Sequence, residues 1–119
     1  MGTSVDVVRG TTNTFRISIR QKSNTPYVMS EGEILRFGVK EDIKKTKYVL
    51  KKEVDYTAYD EGDYLITLLP EDTLSLEYKK YWYDIGLQSD NNYYIIIECS
   101  PFNLIPNITS IEGADDNGE

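Results

Sequence analysis

The sequence contains no histidine and a single cysteine, Cys99. Without histidine, the chain lacks the side chain that most often acts as a general base, a proton shuttle or a transition-metal ligand. One cysteine excludes an intrachain disulfide and a thiolate metal site, and no imidazole is available to activate it as a nucleophile. We therefore expect no bound cofactor, and we expect Cys99 to be a small buried hydrophobic residue at the end of a strand.

Long apolar runs and clusters of basic residues are also missing. The longest apolar stretch, YYIII at 93–97, is far shorter than the roughly 20 residues of a membrane-spanning helix. The opening segment MGTSVDVVRG has no basic region followed by an apolar stretch, so we expect no secretion signal. With 20 acidic and 13 basic residues, the net charge is −7. Such a chain repels phosphate backbones, and neither nucleic acid nor a membrane is an expected partner.

Motifs of known enzyme classes are absent too. The chain of 119 residues has no glycine-rich phosphate loop and no nucleophile elbow. We therefore predict that the protein is not an enzyme. A hydrolase with two paired carboxylates needs no histidine, and it is the enzyme class that this reasoning leaves open.

Alternation of apolar and polar residues is the pattern that the sequence does show, along most of its length. Successive side chains of a strand point to opposite sides of a sheet, so this pattern predicts strands with one buried face. The apolar positions are Phe15, Ile17 and Ile19; Leu35, Phe37 and Val39; Tyr48 and Leu50; Tyr64, Ile66 and Leu68; Tyr81, Tyr83, Ile85 and Leu87; Ile95 and Ile97, continuing toward Cys99; and Phe102, Leu104 and Ile108. Many short strands without a long helix favour an antiparallel β-sandwich, with a Greek-key barrel as the nearest competitor.

One segment, PEDTLSLEYK from Pro70, has helical features. Proline fits the first turn of a helix, and Glu71 and Asp72 suit its positive end. We expect a short helical turn near 70–78, with Leu74 and Leu76 closing one end of the core. The following strand should place Tyr81, Tyr83, Ile85 and Leu87 in the core, and Trp82 on the opposite face beside Asp84 and Gly86.

Two acidic clusters are weak candidates for function. Asp60, Glu61 and Asp63 are hard oxygen ligands that would suit calcium, but their spacing does not match an EF-hand loop. A solvated hairpin tip is the preferred interpretation. The segment EGADDNGE, residues 112–119, contains four acids and small residues without an apolar anchor, and we expect residues 111–119 to form a flexible acidic tail. Asn107 to Thr109 spell a glycosylation sequon, which we interpret as the edge of a strand.

The outward aromatic side chains are the remaining candidates. Trp82 and Tyr94 should point away from the core if Tyr83 and Ile95 point inward. An outward tryptophan indicates a subunit interface, a platform for a sugar ring, or a ring covered by a neighbouring loop. Trp82, Tyr94 and Asp84 are therefore our candidate interface residues.

The order of these features resembles a family of phage-encoded immunoglobulin-like domains, whose best-named members form the N-terminus of the baseplate upper protein of tailed phages. The similarity covers most of residues 5–110, and its most specific part is a Pro-Glu-Asp-Thr turn that leads into a Tyr-x-Tyr-Asp-Ile strand. The matching positions are Arg9, Gly10, Pro26, Tyr27, Leu69, Pro70, Glu71, Asp72, Thr73, Leu76, Tyr81, Tyr83, Asp84, Ile85, Leu87, Phe102, Ile108 and Thr109.

This resemblance implies an immunoglobulin-like β-sandwich of about seven or eight strands over residues 1–110. It also implies a non-enzymatic structural role in a phage or prophage virion, as a baseplate or tail accessory module. The implied partners are other tail, baseplate or capsid proteins, and further copies of the chain in an oligomer. The implied location is the virion, or the bacterial host cytoplasm before assembly. The alternative function is a carbohydrate-binding module that recognises a host surface polysaccharide through exposed aromatic residues.

Overall fold

A computed structural model describes residues 3–106, which form strands joined by turns and one short helix. The strands are β1 (Val5–Val8), β2 (Asn13–Ile17), β3 (Ile34–Lys40), β4 (Leu50–Val54), β5 (Tyr59–Asp60), β6 (Asp63–Leu68), β7 (Lys79–Ser89) and β8 (Asn92–Ile105). A 3-10 turn covers Tyr56–Ala58, and helix α1 covers Pro70–Leu74. The predicted strand position Ile108, the sequon Asn107 to Thr109 and the acidic tail 111–119 lie outside the described residues.

The strands form two sheets. Within residues 3–106, a five-stranded sheet has the order β1-β8-β7-β3-β4, and a three-stranded sheet has the order β2-β6-β5. The predicted all-β fold is confirmed. The expectation of purely antiparallel strands is wrong at one place, because β1 pairs with β8 in parallel, with Val5 beside Phe102. A parallel neighbour leaves no mark on the alternation of either strand, so the pattern of side chains contains no signal for it.

The core lies between the two sheets, where the predicted faces meet. Tyr81, Tyr83, Ile85 and Leu87 of β7 are all at most 4% exposed, which confirms their predicted burial. They meet residues of the smaller sheet in one hydrophobic cluster; among these, Tyr64, Ile66 and Leu68 are fully buried. No helix within residues 3–106 has the length and apolar character needed to cross a membrane.

The Phe37 ring lies at the centre of this core. Its centroid is 5.8 Å from that of Phe15 on the opposing sheet, 5.5 Å from Tyr83 and 6.1 Å from Phe102. These separations are within the range in which tilted aromatic pairs attract each other. Aromatic packing therefore links the strands of both sheets at one point.

Helix α1 confirms the predicted helical turn, although it ends at Leu74 instead of extending toward residue 78. Pro70 occupies its first turn, and the carboxylate of Asp72 accepts a hydrogen bond of 2.6 Å from the backbone N–H of Leu69. Leu74 is half-buried, and Leu76 packs against the core as predicted. The hydroxyl of Thr73 is completely buried.

Two bulges in β8 change which of its residues face the core. The register against β7 shifts between Tyr83 and Ile85 and again between Ile85 and Gly86, so β8 gains two extra residues. Each extra residue reverses the alternation. Ile95, predicted to be inward, pairs with Gly86 and is 50% exposed. Cys99, predicted to be buried at a strand end, is exposed in the middle of β8.

A buried carboxylate, Glu33, gives the fold a predicted pH dependence. Its oxygens accept hydrogen bonds from the Tyr27 hydroxyl (2.6 Å) and the Ser30 N–H (2.7 Å). Burial acts to raise the pKa of Glu33, but these hydrogen bonds outweigh it and lower the pKa below its ordinary value. The same hydrogen bond, assisted by burial, raises the pKa of Tyr27 to about 12.

Stability from Glu33 is therefore present above its ordinary pKa and is lost as the pH falls through its lowered pKa. Stability from Tyr27 is present below the ordinary phenol pKa and is lost as the pH rises through about 12. We expect Tyr27→Phe to cost about 1–2 kcal/mol at neutral pH and to move the midpoint of acid unfolding to higher pH. Acid titration followed by circular dichroism measures this. Tyr56→Phe, at an exposed tyrosine, is the control, and equal midpoints for Tyr27→Phe and wild type would contradict the assignment.

Candidate functional site

Strand β7 places the candidates Trp82 and Asp84 on the outer face of the five-stranded sheet, opposite to the core residues on either side of them. Trp82 pairs across the sheet with Lys40 of β3, and Asp84 pairs with Gly38. Directly opposed residues of antiparallel strands share one face. Because Gly38 has no side chain, a ring from another segment can lie against the sheet opposite Asp84.

Two tyrosine rings cover the glycines of this face. The Tyr48 ring lies over Gly38, so close that a methyl group added at Gly38 would be 2.5 Å from a ring carbon. Tyr93 covers Gly86 in the same way. Glycine weakens a strand, and a ring packed over it restores contact to the exposed backbone. Both rings therefore belong to the fold and shape the outer face.

A shallow pocket of about 240 Å³ results. Its lining residues are Gly38, Lys40, Ile43, Tyr48, Trp82, Tyr83, Asp84 and Cys99. We refer to it as the outer-face pocket. It combines aromatic walls with one acidic and one basic side chain, which is a lining suited to binding a small polar ligand or a partner side chain.

Lysines surround the aromatic rings of this pocket. The ammonium nitrogens of Lys40 and Lys51 lie 5.0 and 5.5 Å from the centroid of the Tyr48 ring. That of Lys80 lies 5.1 Å from the Trp82 ring. Each distance is within the range of a cation–π contact. Two lysines therefore lie next to the Tyr48 ring, whereas a single lysine lies over one face of the Trp82 ring.

Asp84 is half-buried and lines the same pocket as these rings. Burial raises its pKa, and the positive charge of Lys40 partly opposes that change. Burial, together with the negative charge of Asp84, raises the pKa of Tyr93. Desolvation of a carboxylate costs free energy unless hydrogen bonds replace its water shell.

The third candidate, Tyr94, is not part of this site. It is 53% exposed, but it pairs with the core residue Leu87 and so lies on the other face of the sheet from Trp82. The bulge at the neighbouring Ile96 accounts for the reversal. The structure therefore brings Trp82 and Asp84 together and separates both from Tyr94.

Sequence reasoning missed Tyr48 and Lys40 as neighbours of Trp82, and Tyr93 as a neighbour of Asp84. A signal for them exists, since glycine inside an alternating strand indicates a close approach by another group. Gly38 and Gly86 are such glycines. The sequence does not say which ring approaches each of them, because strand pairing decides that.

The weak calcium candidates lie in the hairpin between β5 and β6, in a different part of the chain from the residues that line this pocket. Arg16 forms ion pairs with Asp60 and Asp63, both at 3.1 Å. Glu61 and Gly62 adopt positive φ angles of 49° and 93°, which is typical of a tight hairpin turn. In the part of the chain that the structure describes, no group of three or more acidic or cysteine side chains is arranged to hold a metal ion.

No family model matches this chain, and no curated protein matches it. The coordinates define a β-rich protein with two sheets and a small aromatic pocket on the outer face of the larger one. Its function therefore has to be inferred from the residues themselves.

Proposed function

We propose that this protein is an immunoglobulin-like, non-enzymatic structural module of a phage or prophage virion, which works through protein–protein contacts in a tail or baseplate. The main support is that the two motifs of the resemblance meet in space. The N–H of Gly10 donates a hydrogen bond of 2.7 Å to the buried hydroxyl of Thr73. The side chain of Arg9 donates to the carbonyl of Leu76 at 3.1 Å, and also to that of Leu74. The Arg-Gly and Pro-Glu-Asp-Thr segments therefore form one buried corner.

The strand order also supports the immunoglobulin-like assignment. When β2 to β8 are taken as strands B, C, C′, D, E, F and G, the smaller sheet has the order B-E-D. The larger sheet then contains G-F-C-C′, the order found in variable-type immunoglobulin domains. Strand β1 lies beside G at the edge of that sheet.

Tyr81 provides a second structural similarity. It lies near the start of β7, after the corner formed by α1, and its hydroxyl donates a hydrogen bond of 2.9 Å to the carbonyl of Glu77. Immunoglobulin-like sandwiches have a tyrosine corner of this kind at the start of strand F, with its hydroxyl bonded to the backbone a few residues upstream.

The aromatic core replaces the disulfide of antibody domains. In those domains a cysteine bridge joins strands B and F next to a tryptophan of strand C. The corresponding strands here carry aromatic residues instead: Phe15 on β2, Phe37 on β3 and Tyr83 on β7. The Phe37 ring lies between the other two rings. Such a core needs no oxidising compartment, which suits a protein that folds in a bacterial cytoplasm before virion assembly.

Strand β8 offers a surface for assembly. Strand β1 covers only its last four residues, from Phe102 to Ile105. Among residues 3–106, the stretch Asn92 to Ile97 pairs with β7 alone, and it exposes about half of Tyr93, Tyr94 and Ile95. An exposed apolar strand edge is a template for pairing with another chain. Neighbouring tail proteins and further copies of this chain are the proposed partners.

Ile95→Lys is expected to abolish incorporation into particles and to leave the fold intact, because Ile95 is 50% exposed and a charge on a strand edge prevents pairing. Complementation of a deletion with each variant, followed by mass spectrometry of purified particles, measures incorporation. Tyr56→Lys is the control, since Tyr56 is 41% exposed and lies in the 3-10 turn between β4 and β5. Equal incorporation of both variants would show that this edge is not the docking surface.

The proposed function itself is tested by locating the protein. After induction of a bacterial strain that encodes it, we expect the chain to co-purify with intact particles in fixed copy number, and immunogold labelling to mark the tail or baseplate. A chain that is abundant in the lysate and missing from purified particles would refute a virion role.

A further inference from the structure

Within residues 3–106, the carboxylate of Asp84 in the outer-face pocket has neither a hydrogen-bond donor nor an ion-pair partner. Lys40 acts on it only through its electric field, which lowers a pKa that burial raises. Two other half-buried carboxylates differ in this respect: Asp72 of α1 has both an N–H donor and Lys52 at 2.9 Å, and Asp63 of β6 has Arg16 at 3.1 Å. Because Asp84 is only half-buried, its oxygens remain accessible to a ligand whose donors replace water.

The surroundings of Asp84 restrict the charge of a ligand. A second cation would be repelled by Lys40, Lys51 and Lys80, which already lie against the rings of Tyr48 and Trp82. An anion would be repelled by Asp84 itself, and by the net charge of −7. The pocket therefore favours a neutral ligand.

The shape and chemistry restrict the ligand further. An ionised carboxylate only accepts hydrogen bonds, and the lysine ammonium only donates them, so a ligand that satisfies both must carry groups able to do either, such as hydroxyls. The flat apolar ring of Trp82 requires an apolar face on the same ligand. The volume of about 240 Å³ is below that of a pocket for a drug-sized molecule, and it is suited to a single small ring.

We propose that the outer-face pocket binds one neutral pyranose ring of a saccharide, which stacks its C–H face on Trp82, donates hydroxyl hydrogens to Asp84 and accepts from Lys40. The Tyr48 ring covers Gly38, so the sugar ring would occupy the pocket beside Tyr48, between Trp82 and Lys40. This inference does not depend on a virion role, because it rests only on the residues of the pocket.

Trp82 is the only tryptophan, so its fluorescence reports directly on the pocket. The probes are methyl β-D-glucopyranoside, methyl β-D-galactopyranoside and N-acetyl-D-glucosamine, titrated into the full chain, with glycerol at equal concentration as the solvent control. We expect a saturable change with at least one sugar, with a dissociation constant on the order of 1 mM, as suits a shallow site with few contacts.

Asp84→Ala should weaken this binding by about tenfold or more, because it removes the charged acceptor. Asp6→Ala, at an exposed aspartate of β1 whose carboxylate accepts a hydrogen bond from Asn103, should leave binding unchanged. Amide NMR spectra provide a second readout, in which bound sugar shifts Gly38 and Asp84 and leaves β1 unaffected. They also show whether each variant is folded.

A change that fails to saturate, a change equal to that with glycerol, or equal affinity of wild type and Asp84→Ala would each overturn the proposal. These outcomes leave the virion role untouched, since particle purification does not involve sugar. Conversely, if the protein binds sugar in this pocket but is missing from particles, the result would support the sugar site and refute the proposed function.

Discussion

Phe37→Ala is expected to lower the free energy of unfolding by about 3–5 kcal/mol, the largest effect that we predict for a single substitution. Phe37 is 1% exposed, and its ring contacts aromatic rings of both sheets. Its removal costs the transfer free energy of the ring and leaves a cavity that strands held in register cannot close. For a domain of ordinary stability, about 5–15 kcal/mol, this is a large share of the total.

Urea unfolding followed by circular dichroism measures this loss. Phe37→Leu keeps most of the volume and should cost only about 1–2 kcal/mol. Tyr56→Ala removes an aromatic ring that is 41% exposed, and it should change stability by less than about 1 kcal/mol. If Phe37→Ala were no more destabilising than Tyr56→Ala, the central place of Phe37 in the core would be wrong.

Thr73→Val is expected to cost about 1–3 kcal/mol even though it preserves the shape of the side chain. The Thr73 hydroxyl is fully buried and accepts the N–H of Gly10, so valine leaves a buried donor without a partner. The effect would show that the corner between the two motifs stabilises the fold through a specific hydrogen bond as well as through packing.

Thr67→Val provides the matched comparison. Thr67 is exposed on β6, where its hydroxyl meets only that of Thr14, and valine has a high strand propensity. Its substitution should change the free energy of unfolding by less than about 0.5 kcal/mol. Equal urea midpoints for the two variants would mean that water or another group replaces the Thr73 hydroxyl.

Strand β7 could be predicted from the sequence almost completely. Its alternation from Tyr81 to Leu87 is unbroken, and the structure adds no extra residue to it. Side-chain direction in a regular strand depends only on the position in the strand, which is local information. The core face of β7, the outward direction of Trp82 and Asp84, and the helical turn at Pro70 follow from such local rules.

Strand β8 shows where local rules end. Its residues Ile95 and Cys99 would face the core if the alternation continued, but two bulges reverse it. A bulge forms where the twist and spacing of a neighbouring strand demand an extra residue, and this depends on the partner strand. The direction of Tyr94 was mispredicted for the same reason, so the candidates Trp82 and Tyr94 fall on different faces.

The outer-face pocket was half predictable. Trp82 and Asp84 were identified as an outward pair. Tyr48 lies 34 positions before Trp82 in the chain, and it reaches the pocket because β4, which it precedes, pairs with β3 and β3 pairs with β7. The calcium candidates show the converse. Asp60 and Asp63 are close in sequence, but Arg16 of a different strand pairs with them, and no sequence pattern indicated that.

The sequence by itself determined the class of the fold and the core face of its regular strands. It also determined which kinds of chemistry are excluded, because the chain has no histidine and a single cysteine. Each of these depends on one residue or on its near neighbours. The tertiary structure alone decided the parallel pairing of β1, the reversals in β8 and the neighbours of Asp84. These depend on contacts between distant segments. The free energies of those contacts are set by register and packing across the two sheets, and the local residue pattern does not say which segments meet.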